Sequence, residues 1–375
     1  MKKVISVLLS FIMIISTLSF TIVAHAESLT DTCGDGTEGN TVGYTFDTET
    51  GLLTVSGKGK MADYEYSNGA TSKYENKNAI LWKYNDPNDQ YEDDYHRSVK
   101  NIIVTSKVTH IGSFSFSNHA SDFCDSYNIY KRSYSQGFPN LISVTLGSGV
   151  ESIGQGAFFM DSALTTMAIP SSCKTIDDEA FRNCTSLETV KLGSGITTLG
   201  EYVFGSDTNL KTINFPYNLA MIEKGCFEDC TSLTGDIKLQ SKVVTIGENA
   251  FNNCKAINSI TIYNNKCDIF DNNTTIPISV KIIGHIGSTA QEYAETYGNK
   301  FEAIAGETIK VVEPTCTQQG YTLHICNDCN ESFKTDFTDS LGHTEKSVPQ
   351  QDATCTEAGH KKGMVCATCG EVLSG

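Results

Sequence analysis

The residues with the clearest chemical capacity lie near the C-terminus, where cysteines recur in pairs two residues apart. Cys326 and Cys329 follow Cys316 and precede His343, and Cys366 and Cys369 follow Cys355 at an interval of 40 residues between the pairs. The segment PTCTQQGYTLHICNDCNESF, closed by LGH at 341–343, is echoed by ATCTEAGHKKGMVCATCGEV at 353–372. Two small cysteine-dependent modules are therefore expected. Three thiolates and one imidazole make a closed tetrahedral set for Zn2+, and modules of this size need a staple. The spacing predicts one Cys3His site from Cys316, Cys326, Cys329 and His343, with Cys355, Cys366 and Cys369 as ligands in the second copy, which stops before a second Gly-His. A disulfide with a free thiol is the alternative, and export would favour it. His324 has no counterpart in the second copy, where His360 aligns with Tyr321, so it is not an expected ligand.

Other constellations carry less. The run from Gly51 to Lys58 brushes against a phosphate loop, but its second Gly-Lys falls one residue late and Gly59 replaces the Ser or Thr. Asp86, Asn88, Asp89, Glu92 and Asp93 lack the mid-loop Gly and terminal Glu of a calcium loop, so a solvated loop is expected. Cys124 with His110 or His119 would give a thiol hydrolase its nucleophile and base, yet nothing supplies an oxyanion hole or an orienting acid. No H-E-x-x-H, G-x-S-x-G or Walker pattern occurs. Catalysis is not expected.

Lys2 and Lys3 precede an apolar run at 4–23 that closes on Ala24-His25-Ala26, the pattern of a secretory signal peptide. An uncleaved anchor is the alternative, because the run approaches spanning length. No other stretch could cross a bilayer. The chain has 28 cationic and 44 acidic residues; removing 1–26 leaves 26 against 44, or −18. Such acidity disfavours nucleic acid and anionic membranes as partners.

The elements that must position any site follow from a period. Leu141, Leu164, Leu187, Leu210 and Leu233 are 23 residues apart, and Phe158, Phe181, Phe204, Phe227 and Phe251 keep the same phase, with only the last step at 24. Apolar residues follow the first four leucines three and five positions on, as in Val144 and Leu146, and a further anchor comes seven later at Ile153, Ile176, Leu199, Ile222 and Ile246. This L-x-x-L-x-L period predicts a leucine-rich-repeat solenoid, in which each coil lays one short strand beside its neighbours and has no core of its own. Ala157, Ala180, Val203, Cys226 and Ala250 let the turn approach the core, and the following Phe fills it. Cys173, Cys184, Cys226, Cys230 and Cys254 fall in core phase and read as buried thiols filling apolar space. A Cys230–Cys254 bridge stays open, since neighbouring coils stand about 4.8 Å apart. Cys33, Cys124 and Cys267 have no assigned partner.

The motif sIG-x-x-AF-x-N-C-x-S-L, matched at 175–187 and 245–257, resembles the BspA-like leucine-rich repeats of bacterial surface proteins. The resemblance extends over about 32–304. TCGDG and GLLTVSGKGKMADY with the lone Trp82 are similar to the N-terminal cap of that family, and strands at 42–46 and 52–56 joined through 47–51 predict a hairpin there. GSTAQEYA, with Ala290, Tyr293, Ala294 and Tyr297 at helical spacing after Ser288 or Thr289, is similar to its C-terminal cap. The expected class is mainly β with short helices. The expected order is signal peptide 1–26, N-terminal β cap 27–98, solenoid 99–284, cap helix 285–304 and two Cys-rich repeats 305–375, the second incomplete. The first coil starts near Val99 with Ile102, Val104, Ile111 and Phe116 in phase; Phe116 to Phe158 is one period plus an insertion at about 118–136.

What the resemblance implies is a secreted or surface-displayed bacterial protein that binds an extracellular protein or glycan. Residues flanking the central apolar position of each strand point outward and form two columns. The first is Asn101, Ser143, Thr166, Thr189, Thr212, Asp236 and Ser259, and the second is Ile103, Thr145, Ala168, Lys191, Asn214, Lys238 and Thr261. Tyr127, Tyr130 and Tyr134 of the insertion, beside Lys131 and Arg132, offer the aromatic anchors that such strips lack. Two alternatives remain: a carbohydrate- or wall-binding accessory protein whose tyrosines stack on sugars, and a metal- or redox-active tail on a spacer solenoid. No cofactor is expected in the solenoid, and Zn2+ is the expected metal of the tail.

Overall fold

A computed structural model describes residues 28–63, 95–117, 137–327, 332–352 and 362–374. The expected signal peptide, Trp82, the acidic loop, the 118–136 insertion, Cys329 and Cys355 lie outside these residues. Within them the chain is wound into coils whose strands pair in parallel with those of neighbouring coils. The alternation that the leucine pattern demands is met in the central coils: Val190 is buried while Thr189 and Lys191 on either side are exposed.

Each coil carries two strands rather than the single one the period predicts. The first set runs through three consecutive sheets, and includes Asn101–Val104 and Ser143–Leu146, then Thr166–Ala168, Thr189–Lys191 and Thr212–Ile213, then Gly235–Leu239, Ile257–Ile262 and Lys281–Gly284. The second is one eight-stranded parallel ladder from Gly59–Lys60 to Asp268–Ile269, most of its strands two residues long. Ile153, Ile176, Leu199, Ile222 and Ile246 are the inward residues of that second ladder. A strand of two residues shows no alternation of its own, which is why sequence periodicity passes over it.

The third side of each coil is the Phe turn. Phe116, Phe158, Phe181, Phe204, Phe227 and Phe251 are fully buried and stack ring on ring at 5.1 to 5.6 Å. The Phe116–Phe158 contact at 5.2 Å shows that the coils flanking 118–136 are direct neighbours. Backbone bonds such as Phe181 N to Val203 O and Phe204 N to Cys226 O continue coil to coil. The turn holds two left-handed residues, two before and two after each Phe: Glu179 and Asn183, Tyr202 and Ser206, Gly225 and Asp229, Asn249 and Asn253. After glycine, Asn and Asp tolerate this conformation best. The 24-residue step has a local cause. Gly235 is the extra residue between Leu233 and Ile237, at φ 93° with open space beside its Cα, so the strand's phase recovers at Asp236.

Both ends are closed. The predicted hairpin pairs Gly43–Asp47 with Leu52–Ser56, and Leu52–Ser56 then pairs in parallel with Asn101–Val104, joining the cap to the first coil. A further strand, Ser28–Thr32, covers the hairpin's outer edge. At the other end the helix Thr289–Tyr297 starts at the Ser288 side chain, which accepts from Gln291 N, and ends at Gly298, φ 82°. Ala290, Tyr293 and Ala294 face the core, and the Tyr293 hydroxyl donates to Asn272 O at 2.7 Å while accepting from Ile276 N at 3.0 Å. Unpaired backbone at the end of the stack is satisfied in this way. The tail forms two three-stranded antiparallel sheets, Glu307–Val312 with Gly320–Cys326 and Ser332–Thr338, and Glu345–Val348 with Gly363–Cys366 and Val372–Ser374. Phe333 of the first sheet packs between His285 of the cap and His324. His324 is 2% exposed and its Nε2 meets Thr335 Oγ1 at 2.8 Å, so it is a core residue of that sheet.

Candidate functional site

The first-strand face presents the two predicted columns, and the structure divides them into free and engaged residues. Thr166, Thr189 and Thr212 stand in register and are exposed, as are Thr145, Ala168, Lys191, Asp236 and Lys238. The hydroxyls are linked along the column: Thr212 Oγ1 to Thr189 Oγ1 at 3.3 Å, Ser143 Oγ to Asn101 Oδ1 at 2.6 Å and Ser259 Oγ to Asp236 Oδ1 at 2.7 Å. Three expected positions are not available. Ser259 and Thr261 are buried, at 3% and 6% exposure. Asn214, though exposed, is committed to the backbone: its Oδ1 accepts from Leu192 N at 2.7 Å and its Nδ2 donates to Leu192 O at 2.9 Å. The strand Thr212–Ile213 ends one residue early, and this amide completes the ladder. Tyr127, Tyr130 and Tyr134 lie outside the described residues.

The second ladder contains an arrangement that spacing did not suggest. His110 Nδ1 meets Ser152 Oγ at 2.7 Å, and His110 Nε2 meets Asp63 Oδ1 at 3.0 Å. The same carboxylate oxygen accepts from Ser113 N and Ser113 Oγ at 2.7 and 2.8 Å, and these bonds, with His110, hold Asp63 below the usual carboxylate range despite its partial burial. The residue types are those of a hydrolase triad. A hydrolase also needs donors aimed at a developing oxyanion, whereas the nearby amides of Glu151 and Gly154 donate to Thr109 and Ile111 oxygens within the ladder. The cluster ties the N-terminal cap to the first two coils.

In the tail, His343, Cys366 and Cys369 converge on Cys316, with all four ligand atoms within 4.8 Å of one another. This grouping differs from the one that spacing predicts. Cys326 is buried, 1% exposed, and is not among the four. Cys316 Sγ and Cys366 Sγ are 3.7 Å apart, and Cys369 Sγ is 3.5 Å from His343 Nδ1. The Cys369 backbone N–H leads the donors that draw the Cys366 thiol down to about 5, with His343 and the Thr368 and Thr344 amides adding to it.

The sequence profile of the BspA type Leucine rich repeat region matches this chain in six copies, over 94–205, 127–258 and 222–274. The coils are BspA-type leucine-rich repeats. Solved structures with likeness to the chain include a leucine-rich repeat protein of T. pallidum, 17% identical, covering 69% of this chain and 94% of its own at a TM-score of 0.39. Another, from Bacteroides ovatus, is 24% identical and covers 70% of this chain and 75% of its own, TM-score 0.37. The pneumococcal vaccine antigen PcpA is 17% identical, covering 55% and 68%, TM-score 0.29. No curated protein matches the chain. Among the described residues no helix is long and apolar enough to cross a membrane.

The BspA-type coils also hold a buried polar column. Three residues after each Phe come Asp161, Cys184, Asp207, Cys230 and Cys254, all 0% exposed. The thiols do more than fill space, donating to the carbonyl of the preceding coil's Phe: Cys184 to Phe158, Cys230 to Phe204 and Cys254 to Phe227, at 2.9 to 3.1 Å. All are free thiols, so no bridge joins Cys230 to Cys254. Burial pushes Cys33, Cys173 and Cys267 up to about 12, the mark of inert core thiols. Asp161 Oδ1 accepts from Phe138 N at 2.6 Å and Asp207 Oδ1 from Cys184 N at 2.8 Å. Burial drives both carboxyls well above the usual range. Sequence phase held the signal for these two acids, since they occupy the slot of three cysteines.

Proposed function

We propose that the protein is a secreted or surface-displayed binding protein that engages an extracellular protein or glycan along its first-strand face. The observation that carries this reading is the exposed, in-register column of Thr166, Thr189 and Thr212 beside Lys191 and Lys238. Coils stepping at about 4.8 Å make a strip on the order of 30 Å long, enough for the roughly 800 Å² per partner of an ordinary interface. Such a surface suits an extended polar partner and performs no catalysis. Its contacts are hydroxyls with three charges, Lys191, Asp236 and Lys238, and the Tyr127, Tyr130 and Tyr134 insertion supplies the aromatic hot spot.

The test is immobilised mature protein against extracellular matrix proteins and cell-wall glycans by surface plasmon resonance. Thr189→Arg with Thr212→Arg is expected to weaken binding at least tenfold (~1.4 kcal/mol), as bulk and charge enter the middle of the strip, while Glu201→Arg on the turn side leaves it unchanged. Tyr130→Ala with Tyr134→Ala is expected to weaken it further. Unchanged affinity in the threonine pair overturns the strip as the binding face.

A further inference from the structure

We propose that Cys316, His343, Cys366 and Cys369 form a Zn2+ site that clasps the two tail repeats together, each repeat supplying two of the four ligands. Cys316 and His343 belong to the first repeat and the C-x-x-C pair to the second. The backbone makes this the natural grouping. His343 ends the first repeat and immediately precedes Glu345–Val348, which pairs with Gly363–Cys366 so that Glu345 lies opposite Cys366. Ala367 N donates to Thr344 O at 2.7 Å, which brings the residue after His343 against the C-x-x-C loop. In the first repeat Glu307 lies opposite Cys326, and the position two before Glu307 is Ala305, where the second repeat has His343 two before Glu345.

The distances fit a metal and do not fit a disulfide. Around one tetrahedral centre, sulfur ligands at about 2.3 Å and nitrogen at about 2.0–2.1 Å stand about 3.8 Å from sulfur to sulfur and about 3.5 Å from sulfur to nitrogen. The observed separations are 3.7 Å for Cys316 and Cys366 and 3.5 Å for Cys369 and His343. A disulfide would bring two sulfurs to about 2 Å.

The surroundings are those of a ligand set. His343 turns Nδ1 toward the thiols, and its Nε2 meets Glu371 Oε2 at 3.4 Å. A carboxylate on the far nitrogen fixes the tautomer and orients the ring of a metal-bound histidine. Thr368 N donates to Cys366 Sγ at 3.4 Å, and Gly370, at φ 78°, turns the chain so that Cys366 O accepts from its N–H. Binding releases the thiol protons to solvent, leaving three thiolates and a neutral imidazole on one Zn2+. Cys366 and Cys316 are buried while Cys369 and His343 are exposed, so the ion has an entry path from one side.

The experiment uses the mature chain, purified reduced and without chelator, with zinc measured by mass spectrometry and affinity by competition with a chromophoric chelator. The expected result is one zinc per chain, and Co2+ in its place showing the intense ligand-field bands of tetrahedral thiolate. Cys369→Ser is expected to abolish binding and Cys326→Ser to retain it. Glu371→Gln is expected to weaken affinity by about 10- to 100-fold with the solenoid's melting unchanged, an outcome that a general loss of folding would not produce. Removal of zinc is expected to lower hydrogen-exchange protection in Glu345–Val348. A chain that binds no zinc, that carries Cys316 and Cys366 as a disulfide on peptide mapping, or that keeps its zinc in Cys369→Ser overturns the proposal.

Discussion

Phe204→Ala probes the stacked column at its middle. The ring is fully buried between Phe181 at 5.6 Å and Phe227 at 5.5 Å, with interplanar angles of 9° and 14°. Truncation removes a whole ring, and Phe to Ala changes in cores cost about 3–5 kcal/mol, less where the site can collapse. Collapse is opposed here. Coil spacing is held on one side by the Thr198–Met221 and Leu199–Ile222 pairing and in the turn by Phe204 N to Cys226 O at 2.9 Å. Two aromatic contacts are lost as well, each worth about 0.5–1.5 kcal/mol beyond area, so the cost is expected in the upper half of that range. Against a typical total of about 5–15 kcal/mol, this is a large fraction. Guanidinium unfolding of the mature chain reads the total, and hydrogen exchange reads its location. Protection should fall around 181–227 and persist in the helix Thr289–Tyr297, because repeat arrays couple mainly to nearest neighbours. Glu201→Ala, an exposed side chain on the same turn, is the control. A Phe204→Ala midpoint equal to that of the control would refute the stacked-column account.

Asp207→Asn tests the buried acid. The folded carboxyl is raised by burial, so its contribution is fully present below the unfolded value near about 4 and is lost as pH rises toward the folded value. Wild type should therefore lose up to about 1.4 kcal/mol per pH unit from this group over that window, and the variant, which keeps an acceptor for Cys184 N, should show a shallower slope and greater stability at neutral pH; unfolding at pH 5 and 7 checks both. Asn214→Ala should cost about 1–3 kcal/mol by leaving Leu192 N and O without their partner, whereas Thr212→Ala should cost less than about 1 kcal/mol; the two compared by denaturant midpoint separate a structural amide from a surface hydroxyl.

The cap hairpin, the helix with its Ser288 start and the Phe phase could all be read from the chain, because each rests on contacts between residues near in sequence or repeated at a fixed interval. The two-residue strands could not, since they have no alternation to detect. The engaged role of Asn214 was equally hidden. Its place in the outward column says where the side chain starts, but the early end of its strand decides what that side chain must bond.

The cysteine tail separates the two kinds of information most clearly. Residue types and the 40-residue interval determine that small modules hold thiols and a histidine suited to Zn2+. Which of them meet is a matter of strand pairing. Sequence distance groups His343 with Cys326 and Cys329 of its own repeat, yet the antiparallel pairing of Glu345–Val348 with Gly363–Cys366 carries it to the next one. In the solenoid the period determines the fold because every coil meets the same surroundings as the last. In the tail, and where Asp63 of the cap meets the His110–Ser152 pair, the contacts join segments with no common phase, and only the folded backbone brings them within bonding distance.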